Sequence, residues 1–84
     1  MKLMILITIF ISLVFAKVDI NRATKKELIT LHGIGAKKAE AIIDYRNKRC
    51  FKSTYEISNV KGIGEKSFKK LKDNIEVSKC KDNI

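Results

Sequence analysis

Two short runs in the chain have residue types that could bind an anion. Leu31-His32-Gly33-Ile34-Gly35 and Val60-Lys61-Gly62-Ile63-Gly64 stand 29 residues apart. Lysine follows each closely, as Lys37 and Lys38 after the first and Lys66 after the second. Glycine permits positive φ and close approach to the backbone. The aliphatic residue between the glycines, Ile34 or Ile63, can point inward and pin the turn. If a helix starts just beyond each run, the amides of Gly35, Ala36 and Lys37, and of Gly64, Glu65 and Lys66, have no intrahelical acceptor. Those amides and the helix dipole together suit a phosphate oxygen. Lysines in a first helical turn run against that dipole, and a bound phosphate would compensate. One Gly-x-Gly alone reads as a structural turn between helices, because the pattern is common. Two copies at a fixed offset, each followed by lysine, favour the anion site. The candidate phosphate-binding residues are Gly33, Ile34, Gly35, Ala36, Lys37 and Lys38, with Gly62, Ile63, Gly64 and Lys66.

Other phosphate-binding patterns do not fit. A Walker A loop needs Gly-Lys-Ser/Thr after a strand, and a dinucleotide fold needs a third glycine and a parallel sheet.

The elements that must hold these turns repeat with them. Thr24 and Ser53 are N-cap candidates, and Glu27 and Glu56 three residues later complete capping boxes. Short helices follow over residues 25–30 and 54–59. Their apolar stripes are Leu28 and Leu31, then Ile57 and Val60. Gly33 and Gly62 end them. A second helix runs from Gly35 or Ala36 to about Arg49, with Ala39, Ile42, Ile43 and the Arg46 stem facing in. A last helix spans residues 65–74, with Phe68, Leu71 and Ile75 inward. The aromatics Tyr45, Phe51, Tyr55 and Phe68 read as packing residues rather than base-stacking platforms. No stretch alternates as a strand, so the expected fold is all-α, with the tail after Ile75 held only through Cys80. Each repeat has a buried face that cannot stand alone, so the two should pack together.

With 84 residues the chain has room for one small domain. Its formal charge of +9 suits a polyanion, either nucleic acid or an anionic membrane surface, and equally a solvated cationic surface that only aids solubility. Met1–Ala16 has the pattern of a signal peptide: Lys2, an apolar run over residues 3–15, and Val14-Phe15-Ala16 at the cleavage site. The run is short of the roughly 20 residues of a membrane span. We therefore expect cleavage after Ala16 rather than a retained anchor. The expected product is an exported domain, residues 17–84, in a periplasmic or other extracytoplasmic compartment. Removing Lys2 leaves it at +8 (9 − 1). Export and an even count suggest a Cys50–Cys80 disulfide. Two free thiols are the alternative, and a metal site with His32 has no ligand spacing to support it.

Taken together, these residues resemble the tandem helix-hairpin-helix family, and in particular its ComEA-like competence branch, which takes part in DNA uptake. The lead-in Val18-Asp19-Ile20-Asn21-Arg22-Ala23-Thr24, the hairpin from Leu31 to Gly35 with Lys38-Ala39, and Ala41-Ile42-Ile43-Asp44-Tyr45-Arg46 carry the resemblance. So do the linker Phe51-Lys52-Ser53 and the hairpin from Val60 to Gly64. The resemblance spans Val18 to about Ile75. It implies a tandem helix-hairpin-helix domain whose two hairpins grip phosphates of both strands of duplex DNA across the minor groove, without reading sequence. The chain departs from the family where His32 and Ala36 replace the usual prolines, and where Arg49 and Cys50 stand in a linker that usually has glycine. His32 reads as an exposed turn residue. The second hairpin has fewer lysines at its helix start and is expected to bind more weakly. Arg46, Lys48 and Arg49, with Lys69, Lys70 and Lys72, either extend the basic footprint or form a solvated face.

Double-stranded DNA is thus the expected partner, with components of a DNA-uptake apparatus as further partners and no cofactor or small-molecule substrate. The alternatives are a protein-interaction module of a secretion or uptake apparatus, and a cationic protein of the membrane surface. One histidine and scattered carboxylates offer no nucleophile–base pair and no metal set, so we read the chain as non-enzymatic.

Overall fold

The computed structural model describes residues 17–80. The expected signal segment Met1–Ala16 lies outside the described residues.

The chain enters through a short strand, β1 (Val18–Asp19), and turns at once. The Asp19 carbonyl accepts from the amides of Arg22 and Ala23, at 3.0 and 2.8 Å. Helix α1 (Lys25–Ile29) then starts on a complete capping box. The Glu27 amide donates to Thr24 Oγ1 at 3.1 Å, and the Thr24 amide donates to Glu27 Oε1 at 2.8 Å. After the first glycine turn, α2 (Ala36–Lys48) runs for 13 residues. The linker leads into a 3₁₀ helix, Thr54–Asn59, and the second glycine turn into α3 (Glu65–Leu71). One 3₁₀ turn, Lys72–Asn74, precedes β2 (Ile75–Glu76).

The buried positions follow the 29-residue repeat. Leu28 and Ile57, Leu31 and Val60, Ile34 and Ile63, and Ile42 and Leu71 are all buried. Ala39 is fully buried, while its counterpart Phe68 is half-buried at the rim. Phe51, between the repeats, is fully buried and stacks on Tyr45 with ring centroids 4.9 Å apart. Ile20 and Ile75, from the two ends of the sequence, are also buried in the core.

The structure corrects the expected architecture in three places. It is mostly helical but not purely so: β1 and β2 pair in parallel, with Val18 opposite Ile75 and Asp19 opposite Glu76. Two residues per strand are too few to show alternation in sequence. Second, the element after Ser53 is a 3₁₀ helix and lacks the expected capping box. Ser53 makes no side-chain cap, and Glu56 Oε1 instead accepts from the Lys52 amide at 3.0 Å. Third, the tail is held by more than Cys80. Ser78 donates its amide to Asp19 Oδ1 at 3.1 Å, and its carbonyl accepts from Asn21 Nδ2 at 2.9 Å. Asn21 also grips the linker, donating Nδ2 to the Phe51 carbonyl and accepting from the Phe51 amide, at 2.9 and 2.8 Å. The expected Cys50–Cys80 disulfide is present, with its Cα atoms 5.8 Å apart.

Candidate functional site

The two glycine turns have the same backbone geometry. Gly33 has φ +80 and Gly62 φ +89, the left-handed conformation that L side chains rarely adopt. The isoleucine after each donates its amide back across the turn. Ile34 bonds the Leu31 carbonyl at 3.1 Å and Ile63 the Val60 carbonyl at 2.9 Å. Both side chains are buried, so each turn is pinned to the core as expected.

The second glycine of each pair behaves differently. Gly35 and Gly64 sit at φ −99 and −121, an extended backbone open to any residue. A Cβ added at either would meet nothing within 4 Å. Neither conformation nor internal packing requires glycine there. Both are N-caps without a side chain to cap the helix. The first backbone bonds of the helices are Ala39 N to Gly35 O, at 2.9 Å, and Phe68 N to Gly64 O, at 3.0 Å. The amides of Ala36, Lys37 and Lys38, and of Glu65, Lys66 and Ser67, therefore precede the helical ladder. The first turn of α2 contains no acid.

The lysines occupy unequal positions. Lys37 is exposed, and Lys38 is half-buried because its side chain crosses to the other hairpin. A Cβ at Gly62 would lie 3.8 Å from Lys38 Cγ and 3.9 Å from Lys38 Cε. The two turns are thus neighbours, and Lys38 lies between them. Lys61 is exposed inside the second turn, and Lys66 is exposed in the first turn of α3. Lys38, Lys61 and Lys66 together give the second turn more positive charge than sequence spacing suggested. Lys61 was missed because it precedes the glycines, whereas the motif directs attention to the lysines that follow.

Glu65, at the start of α3, is engaged by its neighbours. Tyr55 Oη donates to Glu65 Oε2 at 2.9 Å, and this bond raises the phenol above its ordinary pKa. The Tyr55 ring packs edge-on against Phe68, with centroids 5.2 Å apart. Tyr55 is half-exposed, but its ring and hydroxyl are both used within the fold. His32 is exposed, as expected of a turn residue. Arg46 serves the fold too: its Nη1 donates to the Ile20 carbonyl at 3.1 Å.

A family model for the helix-hairpin-helix motif matches residues 14–76. ComE operon protein 1 of Bacillus subtilis (strain 168) is 51% identical over 63 residues, 74% of this chain and 31% of that protein. An uncharacterized protein of Haemophilus influenzae is 46% identical over 61 residues, 70% of this chain and 54% of the relative. The chain thus spans about a third of the first relative's length and about half of the second's. The match takes in both glycine turns and the helices that carry them, and on it the chain belongs to the helix-hairpin-helix family, as a relative of ComE operon protein 1.

Proposed function

We propose that this protein is an exported, non-enzymatic, sequence-nonspecific binder of double-stranded DNA that works in DNA uptake during competence. The two hairpins grip backbone phosphates as a tandem unit, and Met1–Ala16 directs export. The observation that carries the reading is the pair Gly35 and Gly64. Each leaves a helix N-terminus uncapped and unobstructed where the fold has no need of glycine. A phosphate oxygen brought against those amides satisfies them, and Lys37, Lys38 and Lys66 supply the opposing charge. Contacts of this kind position a duplex without reading its bases. Two turns on one small body make the second contact effectively intramolecular, so loss of either costs much of the affinity. The operon name of the Bacillus subtilis relative supports the competence setting.

The test is a salt titration of duplex binding. If about four to six phosphates are neutralised, log K falls against log salt with a slope of roughly −4 to −5. Lys37→Glu makes that slope shallower by about one unit on every duplex sequence. Gly33→Val and Gly62→Val cost more, because a β-branched residue does not adopt positive φ cheaply. Folded variants of both turns that bind as tightly as wild type would leave a protein partner of the uptake apparatus as the better reading. Binding to anionic vesicles but not to duplex would point to the membrane surface.

A further inference from the structure

A second basic feature lies beside the hairpins. An open groove of about 630 Å³ runs between α2 and the second turn, lined by Asp44, Tyr45, Lys48 and Arg49 on one side and by Asn59 and Lys61 on the other. Three of these are cations. Among the described residues the only ion pair is Lys25–Glu40, and none involves Lys48, Arg49 or Lys61.

The groove is continuous with the hairpin surface. Lys61 adjoins Gly62, and the Lys38 side chain lies beside Gly62, 3.8 Å from where a Cβ would stand. Lys38, Ala41, Tyr45 and Lys48 are spaced by three, four and three residues, which places them on one face of α2. From Lys38 to Lys48 that face extends about 15 Å at the helical rise.

We propose that this groove binds a further stretch of phosphodiester backbone, continuing the hairpin contacts along α2 with Lys48, Arg49 and Lys61 as the phosphate ligands. The inference rests on the duplex reading above and extends its footprint. A strand's sugar–phosphate ridge fits a groove with cations on both walls. Tyr45, whose ring stacks on Phe51, adds an apolar surface to the lining. Asp44 is the one carboxylate in the lining and opposes the ligand.

The experiment compares wild type, Lys48→Gln/Arg49→Gln, the charge-matched control Lys25→Gln/Lys26→Gln, and Gly33→Val, with folding checked by circular dichroism. Probes are a duplex of about 20 base pairs and a single-stranded oligonucleotide of equal length. At roughly 0.9 per phosphate, Lys48→Gln/Arg49→Gln makes the duplex salt slope shallower by about two units, and the control leaves it within half a unit. Asp44→Asn tightens duplex binding several-fold. An unchanged slope for Lys48→Gln/Arg49→Gln, while Gly33→Val still loses affinity, overturns the groove and leaves the hairpin reading in place. An equal effect of the control overturns it too, because net charge alone would then be responsible. A loss confined to the single strand assigns the groove to a peeled strand instead. Folded Gly33→Val binding like wild type removes the hairpin reading itself.

Discussion

The Lys38 side chain lies along the second glycine turn, with Cγ 3.8 Å from where a Gly62 side chain would begin. That is ordinary van der Waals contact. A methyl group at Gly62 would therefore fit the space, and its cost lies in the backbone at φ +89. Gly33, at φ +80, has nothing within 4 Å of such a methyl group. Gly33→Ala and Gly62→Ala should consequently lose similar stability, about 1–2 kcal/mol each. Chemical denaturation of the two variants checks this. A much larger loss at Gly62 would mean that the Lys38 contact is tighter than the structure has it.

Gly35 and Gly64 should respond in the opposite sense. Serine is a better N-cap than glycine by a few tenths of a kcal/mol. Gly35→Ser should therefore hold or slightly raise the melting temperature. The same substitution places a side chain and a competing acceptor at the exposed amides, so duplex affinity should fall several-fold. Paired melting and binding measurements on Gly35→Ser and Gly64→Ser check the separation. Affinity that stays at the wild-type value would detach these glycines from binding.

The sequence made some of these relationships visible and hid others, for identifiable reasons. Gly33, Gly62, Ile34 and Ile63 were legible because local conformation and one buried residue specify each turn. The box at Thr24 was legible for the same reason. Ser53 and Glu56 have the same spacing but form no box, because the Lys52 amide takes the carboxylate and the segment winds as 3₁₀. Lys38 against Gly62 joins two repeats, and no periodicity within either repeat encodes it. The parallel β1–β2 pair is likewise tertiary, since Val18 and Ile75 flank the two repeats at opposite ends of the sequence.

Asn21 should be the most sensitive polar residue of the domain. Its side chain makes three hydrogen bonds, two to Phe51 and one to Ser78, and all are partly buried. Asn21→Leu removes them and leaves backbone partners unsatisfied, at about 1 kcal/mol or more for each. The expected loss is about 3 kcal/mol by urea denaturation. A loss below about 1 kcal/mol would show that the lead-in and tail are held by apolar packing alone.

The disulfide should matter less to the fold than its position suggests. It closes about 31 residues, worth at most roughly 3.7 kcal/mol in the chain-entropy model. Asn21 and Asp19 hold the same linker and tail independently. Reduction should lower the melting temperature and preserve the helical circular dichroism spectrum. Thiol alkylation without reductant should label neither cysteine.

Glu40 provides a pH marker. Its hydrogen bond and charge attraction with Lys25 hold the carboxyl below its ordinary pKa. A carboxylate depressed on folding stabilises above its unfolded pKa, and that contribution disappears as pH falls through the folded value. Both partners are exposed, so the effect should be small and screened by salt. Glu40→Gln should match wild type in acid and fall slightly below it at neutral pH in low salt. A pH series of melting curves reads the difference.

The three hydrogen bonds of the Asn21 side chain also determine how the domain can come apart. One side chain joins the lead-in to the linker 30 residues away and to the tail 57 residues away. Neither repeat can fray from its own end without breaking the same junction. Amide hydrogens deep in both repeats should thus exchange through one shared global opening, rather than through separate openings of each repeat. Folding must close both long loops before that junction exists, so the entropy of closure falls early, ahead of the contacts that offset it.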